Sequence, residues 1–85
     1  MHEISQIDID IFYRTVGKNV MRLRKEKGMS QLDLALAIGL KSVGLISVAE
    51  LYHNKKHFNL EHLYKIATLF NVKMSDFFEG IIEYA

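Results

Sequence analysis

The stretch LALAIGLKSVGLISVA, Leu34 to Ala49, constrains the fold more than any other. Its sixteen residues carry one charge, Lys41, so most of them have to be buried. A membrane-spanning helix needs about 20 apolar residues. This run is shorter, and Gly39, Ser42, Gly44 and Ser47 interrupt it. One continuous helix would also leave capping residues stranded in its middle. Two short, largely buried helices joined at a glycine-containing bend fit the run best.

The rest of the chain is patterned for helices, and proline is absent. Phe12, Val16, Val20 and Leu23 recur every three to four residues, with Lys27 at the polar end. They predict a helix from about Asp10 to Lys27, stopped by Gly28. Ser30 reads as an N-cap, with Asp33 three residues on as the capping-box acid. Leu34, Ala35 and Ile38 give the second helix its inner face. Gly39 ends it, because glycine accepts the left-handed conformation of a helix terminus. Ser42 is expected to cap a third helix, Val43 to Leu51, and Tyr52 to Phe58 reads as a basic loop. Asn59 caps a fourth helix with a stripe of Leu60, Leu63, Ile66, Ala67 and Phe70. Ser75 is expected to cap a short fifth helix holding Phe77 and Phe78. The expectation is therefore an all-α, five-helix single domain over residues 1–85. Residues 1–10 read as an N-terminal extension. Residues 79–85 form a tail that reads equally as a strand, a helix end or a frayed terminus.

At 49% hydrophobic residues, a small domain of this length can build a core, though with marginal stability. The absence of cysteine excludes disulfides and thiolate metal sites and fits a reducing cytoplasm. The N-terminus MHEISQIDID holds three acids and no apolar run, so it is not a secretory signal. A cytoplasmic protein without membrane association is expected. The net charge of +1 hides a pattern: all 11 Lys and Arg lie between residues 14 and 73, where only Glu26, Asp33, Glu50 and Glu61 oppose them. A basic middle of this kind can attract phosphate.

Other chemistries find little support. His53 and His57 are four apart, a ligand spacing only on a helix, but they fall in a loop and no carboxylate motif joins them or His62. No metal site is expected. No Ser–His–acid set, phosphate-cradling glycine loop or paired carboxylates appear, so neither catalytic residues nor a cofactor are expected.

Three segments stand in a recognisable order: LRKEKGMSQLDLALAIG, ISVAE and NLEHLYKIATLFNVKMSDFF. With them, residues 16 to 78 resemble the Cro and phage-repressor type of helix-turn-helix domain, also called the xenobiotic-response-element family. The resemblance implies a five-helix bundle that binds operator DNA as a dimer. Two departures stand out. This chain has one residue more than usual between Gly39 and the ISVAE word, and its loop from Glu50 to Leu60 is about two residues long for the family. The third helix can therefore be aligned in two registers. Without a gap, Leu45 and Val48 are buried. With an extra turn residue, Ile46 and Ala49 are buried, and Glu50 takes the place of the family glutamate. The second register keeps ISVAE in step and makes Ser42 the cap.

In that register the resemblance implies base reading by Ser42, Val43, Gly44, Ser47 and Val48. These are chemically thin, without the Arg, Gln or Asn that make bidentate base contacts. Gln31, at the start of the second helix, is implied as a phosphate contact. Lys41 in the turn and Asn54, Lys55 and Lys56 after the third helix flank the groove-entering helix and are further phosphate candidates. Arg24 is implied to pair with Glu50 and tie the first helix to the third. Phe77, Phe78, Ile81 and Ile82 are four large apolar residues within six positions, and the acids beside them would repel DNA. They are therefore the candidate surface of a homodimer, with the alternative that part of the set caps the bundle's own core. The expected function is a dimeric transcriptional regulator, a repressor, with double-stranded DNA as partner. A different class is also compatible: a protein-interaction or antitoxin-like module with a protein partner, keeping the fold without base-specific DNA binding.

Overall fold

Side-chain caps set three of the four helix starts. The computed structural model describes residues 3–81 of the chain. It places α1 at Gln6–Glu26, α2 at Gln31–Ala37, α3 at Gly44–Glu50 and α4 at Leu60–Phe70, with 3-10 helices at His53–Lys55 and Met74–Phe78. No strand occurs among the described residues. The fold is all-α, and the expected fifth α-helix is the second 3-10 helix.

At Ser30 the hydroxyl accepts the Asp33 N–H at 2.9 Å, and the Asp33 carboxylate accepts the Ser30 N–H at 3.1 Å. The Ser30 N–H, and after it the Ser30 hydroxyl, hold the Asp33 carboxyl below its ordinary value. Asn59 and His62 close the same reciprocal box on α4, at 2.7 and 3.1 Å. A third box was not expected. Ser5 accepts the Asp8 N–H at 3.2 Å and donates its own N–H to the Asp8 carboxylate at 3.0 Å. It starts α1 four residues before Asp10, so half of the expected extension is helix. At the far end of α2, Gly39 has φ +90°. Its N–H reaches the Leu36 carbonyl, and the Leu40 N–H reaches the Ala35 carbonyl, the paired bonds of a Schellman ending.

Two expected caps fail. Val43, not Ser42, stands at the N-cap of α3, and no side chain caps that helix. A capping side chain needs extended backbone at its own residue. The chain instead bends through Lys41–Val43, and Val43 is already in the helical region. Ser75 likewise caps nothing: the Asp76 carboxylate accepts the Lys73 N–H at 3.1 Å and starts the tight 3-10 turn there.

The core joins Val16, Val20 and Leu23 of α1 to Leu34, Ala35 and Ile38, to Ile46 and Ala49 of α3, and to Phe58, Leu63, Ile66, Phe70 and Phe77. This corrects the expected dimer surface. Phe77 is 0% exposed. The half-buried Phe78 stacks on Phe12 with ring centroids 6.1 Å apart, and Ile81 packs on the same core. The 3-10 turn swings these side chains inward because the end of α4 and the face of α1 otherwise lack a cover. Asn19, buried in α1, donates to the carbonyls of Phe77 and Glu79 at 2.8 and 2.9 Å and fastens that cover. Ile82 lies outside the described residues.

Candidate nucleic-acid interface

The register of α3 decides which side chains face outward. Ile46 and Ala49 are 0% exposed and Glu50 is buried, whereas Leu45 and Val48 are half-buried. This is the register with the extra turn residue. Glu50 is the hub that fixes it. Arg24 donates Nε to Glu50 Oε2 at 2.7 Å and Nη2 to Oε1 at 3.1 Å, while its Nη1 donates to the Met29 carbonyl at 2.8 Å. Gln31 Nε2 donates to Glu50 Oε1 at 2.9 Å. A buried carboxylate holding a bidentate guanidinium and an amide ties α1, α2 and α3 at fixed angles.

Gly17 lets α1 approach α3. A Cβ there would run into the Ala49 carbonyl oxygen and lie 2.7 Å from that of Glu50. The C-terminal carbonyls of α3 therefore lie directly against the α1 backbone.

On the opposite face Ser42, Val43 and Gly44 are exposed, and Ser47 and Val48 are half-buried. The Ser47 hydroxyl donates to the Gly44 carbonyl at 3.0 Å, which commits its proton and leaves its oxygen able to accept. Lys41, Asn54, Lys55 and Lys56 are all exposed. Gln31 is half-buried, and its amide is committed to Glu50. Any phosphate role for its side chain therefore falls to the amide hydrogen that Glu50 does not take. Arg22 is held by Glu26 at 3.3 Å and Glu79 at 3.1 Å.

Several contacts had no local sequence signal. The Tyr52 hydroxyl donates to Asp10 Oδ1 at 2.7 Å across 42 residues. Gln6 Nε2 donates to the same oxygen at 2.8 Å. The two hydrogen bonds, from Gln6 and then Tyr52, hold the Asp10 carboxyl below its ordinary value, with Lys55 and Arg14 adding to the effect. The same bond to Asp10 raises the Tyr52 phenol. The histidines are separately engaged. His57 stacks on Tyr13, His62 serves the α4 cap, and His53 is exposed in the loop. No group of three or more His, Asp or Glu among the described residues could hold a metal ion. No helix among the described residues is long and apolar enough to cross a membrane.

The Helix-turn-helix family model matches residues 20–77, from the second half of α1 into the second 3-10 helix. No curated protein matches the chain. The family match takes in the α2–turn–α3 unit, the Arg24–Glu50 tie and most of the core, and it extends over well more than half of the sequence. The chain thus belongs to the helix-turn-helix family, DNA-binding regulators of the Cro and phage-repressor type.

Proposed function

We propose that the protein is a sequence-specific transcriptional repressor that acts in the cytoplasm as a homodimer on double-stranded DNA. The observation that carries this reading is the outward face of α3, held rigid by the buried Arg24–Glu50–Gln31 network. In the proposed complex α3 enters the major groove. Val43 and Val48 meet thymine methyl groups, and Ser42 and Ser47 exchange single hydrogen bonds with base edges. Gly44 lets the backbone come close. Gln31, Lys41, Asn54, Lys55 and Lys56 contact phosphates on either side.

Selection of bound duplexes from a random pool at two salt concentrations tests this. Enrichment of a palindrome whose bases survive the higher salt supports the reading. Binding that vanishes with salt and enriches nothing would reduce it to phosphate attraction. That outcome would favour a second reading, a protein-interaction or antitoxin-like module. The absence of Arg, Asn or Gln from the outward face of α3 is the observation behind it.

A further inference from the structure

We propose that Asp10, Tyr13 and Tyr52 are positioning residues that clamp the Asn54–Lys56 loop in the conformation presenting its lysines to a DNA backbone. The inference rests on the reading of that loop as a phosphate contact. Its backbone is the most unusual in the molecule. Tyr52, Asn54 and Lys55 have φ of 54°, 51° and 59°, so three non-glycine residues within four positions are left-handed. Asparagine tolerates this conformation, but tyrosine and lysine adopt it only where the surroundings over-determine it.

Residues of α1 supply those surroundings. Tyr52 is buried, its hydroxyl is bonded to Asp10, and its ring stacks on Tyr13 with centroids 5.8 Å apart. The Arg14 guanidinium lies 5.7 Å above the same ring. On the far side of the loop, His57 stacks on Tyr13 at 3.8 Å. Tyr13 thus touches both stems, one before the lysines and one after them. The Lys56 N–H closes the turn onto the His53 carbonyl at 3.0 Å. Gln6 in turn fixes Asp10, and the depressed carboxyl and raised phenol keep the two partners as acceptor and donor.

Asp10 and Tyr13 both precede residue 20, where the family match begins. The clamp therefore draws on the part of α1 that precedes the matched span. It spans the connection between α3 and α4. A loop has freedom to lose when it meets DNA, and ordering it beforehand removes that loss from binding.

The test uses the full chain and a duplex of arbitrary sequence, titrated across a salt series. Tyr52→Phe keeps every ring contact and removes one oxygen, and Asp10→Ala removes the acceptor. Each should move the Asn54 and Lys55 amide resonances of the free protein and weaken duplex binding roughly 3- to 10-fold. Each should also flatten the salt dependence towards that of the Lys55→Ala, Lys56→Ala double variant, since each lost phosphate contact lowers the slope by about 0.9. Asp10→Asn keeps an acceptor oxygen and should restore both resonances and slope. If Tyr52→Phe lowers only the melting temperature, leaving resonances and slope as in the parent, the clamp is mere packing and the proposal is overturned. That result is distinct from an unchanged slope in the double-lysine variant. The latter refutes the phosphate reading of the loop, and with it the role given to the clamp.

Discussion

Gly17 carries a hydrogen where any side chain would strike the end of α3. On an open helix a glycine-to-alanine change stabilises by about 1 kcal/mol. At Gly17 the added methyl meets two main-chain carbonyls, those of Ala49 and Glu50, and backbone cannot step aside as a flexible side chain can. Gly17→Ala should therefore destabilise the domain, by about 1–3 kcal/mol as overpacking does. Urea unfolding gives the sign directly, and a more stable variant would refute the close approach. At Glu50 the direction is equally definite. Glu50→Ala leaves the Arg24 guanidinium buried without its counter-charge, which costs about 3–5 kcal/mol. For a small domain near the low end of the usual range of roughly 5–15 kcal/mol, that is enough to leave much of the chain unfolded. The double change Arg24→Met, Glu50→Leu removes both charges and should recover most of the loss. If Glu50→Ala alone proves nearly silent in thermal melts, the network does not hold the helices.

At the scale of the element, local signals were legible and distant ones were not. Ser30 with Asp33 announces α2 and Asn59 announces α4, because a cap is written within four residues of sequence. Ser5 with Asp8 is the same signal, but the apolar rhythm of α1 becomes regular only where the bundle covers it, and that rhythm points to a later start. Ser42 and Ser75 look like caps and are not, since the extra turn residue and the 3-10 geometry rotate the backbone away from them. The outward face of α3 and the Arg24–Glu50 pair followed from pattern and family resemblance. The Tyr52–Asp10 bond and the Asn19 clip join residues 42 to 60 positions apart, and no periodicity reports such pairs. The fate of Phe77 turned on whether the bundle needed a lid, a three-dimensional question.

The α4 cap carries a pH dependence. His62 Nδ1 accepts the Asn59 N–H, which only the unprotonated ring can do, and burial lowers the His62 pKa from its ordinary 6.5. Below 6.5 the unfolded chain takes up a proton that the folded chain still refuses. The contribution of His62 is thus full above 6.5, declines as pH falls from 6.5 through the lowered folded value, and is flat below that. His62→Gln keeps a capping acceptor that does not titrate. The stability of the parent relative to this variant should therefore fall as the pH is lowered from about 6.5. A difference that stays constant on that acidification, or a His62 ring titrating above 6.5 by NMR, would exclude the mechanism.

For the whole molecule, one α3 is too short to give an operator useful specificity. The helix has seven residues, and its outward side chains offer single hydrogen bonds and methyl contacts in place of bidentate pairs. Under the proposed function, specificity comes from using the site twice, which ties recognition to the two-fold symmetry of a dimer and to the pitch of DNA. The second 3-10 helix cannot supply the whole dimer contact. Phe77 has no surface to offer a second chain, and Ile81 packs against its own core. Ile81→Asp should therefore lower the stability of the domain itself, as well as any assembly. The proposed symmetry is better tested from the DNA side, where no interface need be assumed. On a duplex with two half-sites about 10 base pairs apart, centre to centre, two chains should bind cooperatively. Inserting about 5 base pairs turns one half-site to the opposite face of the duplex. That insertion should abolish the cooperativity and weaken binding by about tenfold or more, while each half-site still binds singly. Sedimentation of the protein with both duplexes reads the stoichiometry directly. One chain per duplex, with equal affinity at both spacings, would remove the dimer from the proposed function.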